Sequence, residues 1–272
     1  MDAITHLFTH FTFRTDLFFI GSLCRLGEFN EPNKGYLHFI RQGRVTLNQV
    51  GKAPLLIDNP CVIFSPTDKL HSIQPVDESA EVFCINFDFG DNVRNPLLDS
   101  LHHITPLYLE KFPTLQMISD QVFNEHLQQK TGHHAGIQYL CGYFMILVIR
   151  CYLEQNKLTE GLLKGLTDKY LSNLLLEIHQ HPEYPWQLDN MAEKVAMSRS
   201  KFSSYFKKIM GVSAMNYVTT WRIMMAQNLL QKGLSVSLVA EKVGYSHNAV
   251  LTRIFIRELG YKPSEWNTKK II

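Results

Sequence analysis

The chain has 272 residues, enough for two domains that each bury a core of their own. Hydrophobic residues make up 45% of it, as in ordinary globular proteins, and 27 Lys and Arg nearly balance 25 Asp and Glu. The N-terminus, with Asp2 and His6 early, lacks the basic-then-apolar layout of a signal peptide. Five cysteines without a CxxC pair favour reduced thiols and a cytoplasmic location over a disulfide framework.

Residues 17–89 have the pattern of short β-strands separated by turn residues. The predicted strands are Phe18–Leu26, Tyr36–Arg41, Val45–Asn48, Cys61–Phe64 and Val82–Phe87. Glycines, prolines and an Asp-Asn-Pro turn punctuate them. Many short strands at close spacing predict a small barrel or sandwich, whose mouth can hold a ligand.

Three helices are predicted after the strands. They run from Thr114 to about Gln128, from Ala135 to about Gln155, and from Thr167 to a point before Pro182, with both threonines as N-caps. The most apolar stretch, Tyr143–Leu153, is too short for a membrane span and is interpreted as a buried helix. The first two helices either form a homodimer interface or pack onto their own barrel.

A near-repeat lies close to the C-terminus. Met191–Val195 returns as Val239–Val243, 48 residues further on. In each copy a short amphipathic helix is followed by a serine that can cap the next helix, and a glycine can end that helix. Later positions recur 49 apart, so the second copy has one extra residue between Ser246 and Phe255. The repeat therefore predicts two helix-turn-helix units.

A helix over Ala214–Gln231 is predicted to join the two units. Its length would be roughly 27 Å at 1.5 Å per residue. Successive major-groove faces of DNA lie about 34 Å apart. A helix of this length therefore suits two recognition helices that enter adjacent grooves on one side of the duplex.

The side chains outside the buried faces of the two second helices are predicted to contact DNA. They are Arg199, Ser200, Lys201, Ser203, Ser204 and Lys207 in the first copy, and His247, Asn248, Thr252, Arg253 and Arg257 in the second. Arg can bridge the acceptors of guanine and Asn can pair with adenine. Lys207 and Arg257 are expected at phosphates, which set register without reading sequence.

The sign of the net charge changes near Trp186, where the helix-turn-helix region begins. From Trp186 onward there are 13 Lys and Arg against 5 Asp and Glu, a net charge of +8, whereas residues 1–185 carry 14 and 20, a net of −6. A basic C-terminal third is typical of a polyanion partner, and the acidic remainder should avoid DNA.

The C-terminal hundred residues resemble the AraC/XylS family of bacterial transcription regulators. The pattern that carries the resemblance is Leu188…Ala192…Met197-Ser198…Phe202…Phe206-Lys207…Gly211, then Arg222…Ala226…Leu230, then Val239-Ala240…Val243-Gly244-Tyr245-Ser246…Arg253…Phe255…Gly260-Tyr261-Lys262-Pro263. The N-terminal part is similar to the cupin-like sensory domains of one branch of that family. Its cues are Gly21-Ser22-Leu23-Cys24, Gly35-Tyr36-Leu37-His38 and Ile63-Phe64-Ser65-Pro66…His71.

The resemblance implies an α+β protein. A cupin-like sensory and dimerisation β-barrel with appended helices would occupy residues 1–165, and an all-α DNA-binding domain residues 166–272. It implies a sequence-specific regulator controlled by a small molecule or a cell state. Activation is the expected direction of regulation, and repression is the alternative that the sequence leaves open. Its partners would be double-stranded promoter DNA, RNA polymerase and an unknown small-molecule effector, without a membrane.

The chain departs from the family pattern on its reading faces. Ser200, Ser203 and Ser204 are shorter than the side chains often found there, and Ile256 stands where a basic residue commonly follows the Phe. The second unit, with Asn248 and Arg253, is therefore expected to carry more of the specificity.

The N-terminal part holds the candidate effector residues His38, His71, Cys24 and Phe64. The two histidines are isolated and no His-x-His occurs, so no metal, cofactor or enzymatic activity is expected. Cys24, Cys61 and Cys84 fall on predicted strands and are interpreted as small buried hydrophobes.

Four other interpretations stay open, and one of them is a DNA-binding module without regulatory output. A thiol-based redox-sensing regulator would need an exposed cysteine of low pKa. A cupin enzyme fused to a DNA-binding tail lacks the ligand set. An alkyl-transfer repair protein needs a cysteine facing DNA, and none follows Cys151.

Overall fold

The structure is a computed structural model and describes residue 5 and residues 14–25, 27–31, 34–65, 70–88, 104–154 and 160–266. Residues 14–154 of this set fall in one compact unit and residues 160–266 in a second. The expected division at 165/166 lies inside a short helix, Leu162–Thr167, and stays a prediction. The α+β class, with a sheet-rich cupin region followed by a helical domain, is confirmed.

The N-terminal unit consists of two antiparallel sheets. Its strands are β1 (Arg14–Leu23), β2 (Gly27–Phe29), β3 (Gly35–Gln42), β4 (Val45–Gln49), β5 (Leu55–Ile57), β6 (Cys61–Ser65), β7 (His71–Pro75), β8 (Ala80–Asp88) and β9 (Thr105–Tyr108). One sheet has the order β1-β8-β3-β6-β9 and the other β2-β7-β4-β5. All five predicted strands are present with shifted ends, and the prediction missed β2, β5, β7 and β9.

Strand β3 shows why the larger sheet is so apolar. Every residue from Gly35 to Ile40 is buried, so both faces of the strand are covered. The Phe39 ring contacts Phe123 and Phe144 on the helical side. His38, one residue earlier, contacts Phe29 of the other sheet. A strand that packs against a sheet on one side and helices on the other is buried on both faces, so apolar residues are favoured at successive positions.

Two helices cover the larger sheet: α1 (Pro113–Gln128) and α2 (His133–Glu154). The prediction that Thr114 caps α1 is wrong, because the helix begins at Pro113 with Phe112 in the cap position. By length and hydropathy alone α2 could cross a membrane over His133–Tyr152, but half of that stretch is buried in the unit. The apolar segment lies inside this helix, as predicted, although the helix begins at His133 rather than at Ala135, and its burial marks it as a core helix.

The regular secondary structure of the C-terminal unit is helical throughout the part that the structure describes. Its helices are α3 (Leu162–Thr167), α4 (Leu171–Gln180), α5 (Leu188–Lys194), α6 (Arg199–Met210), α7 (Ala214–Gln231), α8 (Val236–Lys242) and α9 (Asn248–Leu259). The predicted bounds of the joining helix are confirmed in α7. Thr167 does not cap the helix before Pro182, because it ends α3; the Asp168 carboxylate instead accepts hydrogen bonds from the Tyr170 and Leu171 amides at 2.9 and 3.0 Å.

Candidate DNA-binding surface

The two helix-turn-helix units, α5–α6 and α8–α9, have helices of equal length. The first helices have seven residues each and the second helices twelve. Helix α6 begins directly after Ser198, whereas α9 begins two residues after Ser246. The extra residue of the second copy therefore lies in the turn, where added backbone costs least.

The two recognition helices differ in their N-terminal caps and share the same type of C-terminal cap. The Ser198 hydroxyl accepts a hydrogen bond from the Lys201 amide at 3.4 Å, which confirms it as an N-cap. The prediction for Ser246 is wrong, because the extra residue puts His247 in the cap position. Gly211 and Gly260 end the helices with φ of 75° and 83°, the left-handed conformation that glycine adopts without a steric cost.

Each recognition helix packs into the core of its unit through two fully buried side chains. In α6 these are Phe202 and Phe206, and in α9 Leu251 and Phe255. The pairs are related by the same shift of 49 residues that relates the helix starts. The two helices are therefore rotated alike about their axes, and equivalent positions face outward.

The residues predicted to contact DNA all lie outside these buried faces. Ser203 and Thr252 are half-buried, and the other nine are exposed: Arg199, Ser200, Lys201, Ser204, Lys207, His247, Asn248, Arg253 and Arg257. Their exposure is compatible with contact to DNA, which remains a prediction.

Two of the predicted cations already have acidic partners. The Arg199 guanidinium lies 3.3 Å from a carboxylate oxygen of Asp189 on α5, and Arg257 lies 2.7 Å from Glu258. Arg199, Asp189 and Arg257 are largely exposed, so solvent screens these pairs and they contribute little to stability. Each arginine would exchange its carboxylate for DNA at small cost.

Helix α7 holds the two units by packing into both cores. Tyr217 and Trp221 are buried on the side of the first unit, where the His179 ring of α4 stacks on Trp221 with centroids 3.5 Å apart. The Tyr217 hydroxyl lies 2.5 Å from Nε2 of the same histidine. Further along, Ile223 and Leu230 belong to the core of the second unit. One helix therefore fixes both units through buried contacts.

Arg222 is a positioning residue to which the sequence reasoning assigned no role. Its Nε donates to the Pro182 carbonyl and its Nη2 to the Tyr184 carbonyl, both at 2.8 Å. The same guanidinium lies 5.3 Å from the centre of the Tyr245 ring. It therefore ties α7 to the segment after α4 and to the turn of the second unit, combining two charge-assisted hydrogen bonds with a cation–π contact.

The two turns share a left-handed backbone position but hold different residues there. Ala196 and Gly244, 48 residues apart, both have positive φ, at 53° and 81°. A Cβ on Gly244 would lie 2.6 Å from Nη2 of Arg222 and 2.8 Å from the backbone of Glu183. The second turn therefore requires glycine for space as well as for conformation, whereas the first accommodates alanine.

In the cupin unit the structure brings two of the four predicted effector residues together. His38 and His71 are both buried, and their Nε2 atoms are 2.8 Å apart. His38 Nδ1 lies 3.1 Å from the Cys84 sulfur. Burial, and then the neighbouring His71, lower the pKa of His38 well below its usual value, so this ring is neutral. Phe29 and Tyr36 pack around the pair.

The other two predicted effector residues lie elsewhere. Cys24 is exposed just after β1, so its interpretation as a buried hydrophobe is wrong. Phe64 is buried on the helical side of β6, where its ring contacts Phe87 and Tyr152. Register explains the separation: Ile63, not Phe64, is paired with His38, so Phe64 points to the opposite face.

The remaining cysteines are buried, as the sequence suggested for Cys61 and Cys84. Burial raises the pKa of Cys61 and Cys141 to about 12, that of Cys151 to about 11, and that of Cys84 as well. Such thiols hold almost no thiolate at neutral pH. A thiol sensor in this chain would therefore depend on Cys24.

A cleft of about 440 Å³ opens beside β1, where α1 and α2 pass the strand. Asp16, His126 and His134 supply polar lining, and Phe18 and Ile137 supply apolar lining. Within the described ranges no three His, Cys, Asp or Glu side chains converge in a way that could hold a metal ion. The cleft has the size and mixed lining of a small-molecule site.

Comparison with protein families gives two matches. A family described as a helix-turn-helix domain matches residues 191–269, and a family described as cupin matches residues 2–154, more than half of the chain. These spans correspond to the α5–α9 repeat and to the two-sheet unit with its helices.

Three curated relatives are transcription regulators by name. A putative AraC-like transcription regulator of Streptomyces lividans is 29% identical over 192 residues, covering 68% of this chain and 63% of the relative. The regulator AlkR of Acinetobacter baylyi is 31% identical over 190 residues, covering 68% and 62%. The RCS-specific activator RclR of Escherichia coli is 22% identical over 237 residues, covering 85% and 84%.

The chain spans just under two thirds of the length of the first two of these relatives. The two family matches nevertheless fall on both compact units, residues 2–154 on the first and residues 191–269 on the second. This protein belongs to the AraC family of transcription regulators, with an N-terminal cupin domain and a helix-turn-helix domain.

Proposed function

We propose that this protein is a sequence-specific DNA-binding transcription regulator whose cupin domain receives a small-molecule or cell-state signal. The observation that carries the proposal is the pair of recognition helices with matching rotation, held by one 18-residue helix. The net charge of +8 from Trp186 onward supports a polyanion as the partner.

Selection of binding sites from random duplex DNA by the full-length protein tests this function. The expected result is a site with two recognition elements whose centres lie about 10 base pairs apart, one helical turn. Replacing Asn248 and Arg253 by Ala should erase the second element and leave the first. Enrichment of a single element, or of none, would overturn the two-unit reading.

The signal is proposed to act at the cleft beside β1. The His38–His71 pair, although central, is enclosed by Phe29 and Tyr36, so a ligand could reach it only if rings moved. The cleft is open without such movement. In a promoter reporter, Asp16→Asn should blunt the response to the inducing condition and preserve DNA binding, whereas Cys24→Ser should leave the response unchanged. Loss of the response with Cys24→Ser would favour the thiol sensor instead.

We further propose that the protein acts in the cytoplasm and activates transcription through contact with RNA polymerase. Its cupin domain is proposed to sense a signal and not to catalyse a reaction. The Escherichia coli relative is named an activator, which supports the direction of regulation. Reporter transcription should therefore fall when the gene is deleted. A rise on deletion would identify a repressor.

A homodimer through α2 completes the proposal. Tyr139 and Tyr143, four residues apart on this helix, are 82% and 42% exposed, an unusual placement for two aromatic side chains on one helix face. Light scattering of the full chain at micromolar concentration should give twice the chain mass. Tyr139→Arg should halve it, and a wild-type monomer would refute the dimer.

A further inference from the structure

The matched rotation of the two recognition helices lets their outward faces be compared position by position. With Phe202 equivalent to Leu251 and Phe206 to Phe255, the outward positions of the two helices correspond one to one. On α6 these positions hold Ser200, Ser203, Ser204 and Lys207, and on α9 they hold Ala249, Thr252, Arg253 and Ile256.

The outward face of α9 carries an apolar stripe that α6 lacks. Ala249, Thr252 and Ile256 follow an i, i+3, i+7 spacing, so an alanine methyl, a threonine methyl and a branched side chain line one side of the helix. Ile256 is 40% exposed, although the helix buries its hydrophobic residues Leu251 and Phe255 completely. The stripe is thus separate from the core.

We infer that this stripe reads thymine. In the major groove the C5-methyl group of thymine is the one apolar feature that a base pair offers, and Ala and Thr methyl groups are suited to contact it. Ile256 would press against such a methyl group and exclude water. Cytosine at that position would remove the methyl group and place a polar amino group nearby. The inference deepens the proposed function and rests on it.

The geometry of α9 also sets where the thymine should be. Arg253 and Ile256 are three residues apart, which corresponds to about 4.5 Å along the helix axis. One base step of DNA is about 3.4 Å. The thymine read by Ile256 therefore lies within one or two base pairs of the base read by Arg253, in the second recognition element only.

Deoxyuridine scanning of the selected site tests the inference, because uracil keeps the base pairing of thymine and lacks only its methyl group. Each thymine of the second element is replaced in turn, and the affinity of the full-length protein is measured. One or two positions should weaken binding about 3–10-fold, the effect expected from losing one buried methyl contact. Thymines of the first element should show no comparable penalty.

Two matched variants assign the effect to the stripe. With Ile256→Ala, deoxyuridine and thymine should bind equally at the sensitive position. With Lys207→Ala, at the equivalent position of α6, overall affinity should fall and the deoxyuridine penalty should persist. Circular dichroism melting of both variants checks that the exposed substitutions leave the fold intact.

Several results would overturn the inference. The first is a second element that contains no thymine, and the second is a second element in which no deoxyuridine substitution weakens binding. The third is a loss of affinity on deoxyuridine substitution that remains complete in Ile256→Ala. A fourth is an Ile256→Ala variant that binds DNA normally but fails to support transcription, since Ile256 would then contact a protein. In each case site selection could still succeed, so the proposed function would stand. Failure of site selection itself would remove the proposed function first.

Discussion

The two helix-turn-helix units bury equivalent positions of their recognition helices and differ in what faces outward and in the residue at the left-handed position of the turn. Phe206 and Phe255 are equally inaccessible, and both recognition helices end at a left-handed glycine. Their turns, however, hold Ala196 in one unit and Gly244 in the other. The comparison shows that buried side chains fix the position of each recognition helix. Which substitutions the turn and the outward face tolerate depends instead on the residues in contact with them in each unit.

The largest effect is expected when the central buried aromatic residue of each unit is replaced by alanine. Phe206→Ala and Phe255→Ala should each cost roughly 3–5 kcal/mol, the usual cost of removing a fully buried Phe side chain. Urea unfolding of the full chain, followed by the fluorescence of the tryptophans, measures the loss. Because the two side chains are equally buried, the two losses in free energy of unfolding should be similar. If one loss is less than about half of the other, the two units are not equivalent.

The turns should respond in opposite directions. Gly244→Ala should destabilise the domain by roughly 2–4 kcal/mol, because positive φ and contact with Arg222 and Glu183 add up. Ala196→Gly should instead be neutral or stabilising by up to about 1 kcal/mol, since it relieves the strain of a left-handed alanine. Thermal unfolding of both variants measures this contrast. A stable Gly244→Ala protein would show that the second turn is as tolerant as the first.

The reading faces should respond differently to substitution at the matched positions Ser204 and Arg253. Arg253→Ala should cost about 1–3 kcal/mol of affinity for the selected site if the arginine bridges a guanine. Ser204→Ala, at the equivalent position of α6, should cost less, because a neutral serine hydrogen bond is weaker than a bidentate arginine contact. Titration on specific and random DNA separates the roles. An equal loss on both DNAs would assign Arg253 to phosphate.

The smallest expected effect concerns the ion pair between the two helices of the first unit, Asp189 on α5 and Arg199 on α6. Asp189→Asn releases Arg199 and removes a negative charge beside the reading helix. Stability should change by less than about 1 kcal/mol, because the pair is exposed. DNA affinity should rise slightly, and the rise should fade as salt is added. Weaker binding by the variant would mean that Asp189 orients Arg199 for DNA.

The sequence predicted the C-terminal unit well because the repeat supplied two independent views of one pattern. The two helix-turn-helix units and their cap glycines follow from the shift of 48 or 49 residues, and the bounds of α7 follow from its own helical periodicity. The cap at Ser246 failed for a local reason. Periodicity located the extra residue between Ser246 and Phe255, but not on which side of the helix start it falls.

The cupin unit was less predictable because its strands are short and its contacts are distant in sequence. Strands β2 and β5 have three residues each, too few for an alternating pattern. The pairing of His38 with His71 depends on β3 and β7 lying in facing sheets, which no spacing in the chain reveals. Phe64 belongs to the same sequence cue as His71, but strand register places its side chain on the opposite face of the sheet.

Arg222 and Gly244 have a consequence for protein engineering. The second reading unit is not a portable module, because its turn closes around an arginine from α7 that also holds the carbonyls of Pro182 and Tyr184. A chimaera that borrows only α8 and α9 would import the glycine without its arginine. The smallest transferable piece runs from the end of α4 through α9, so new operator specificity is more simply made by exchanging side chains on α9 than by exchanging the unit.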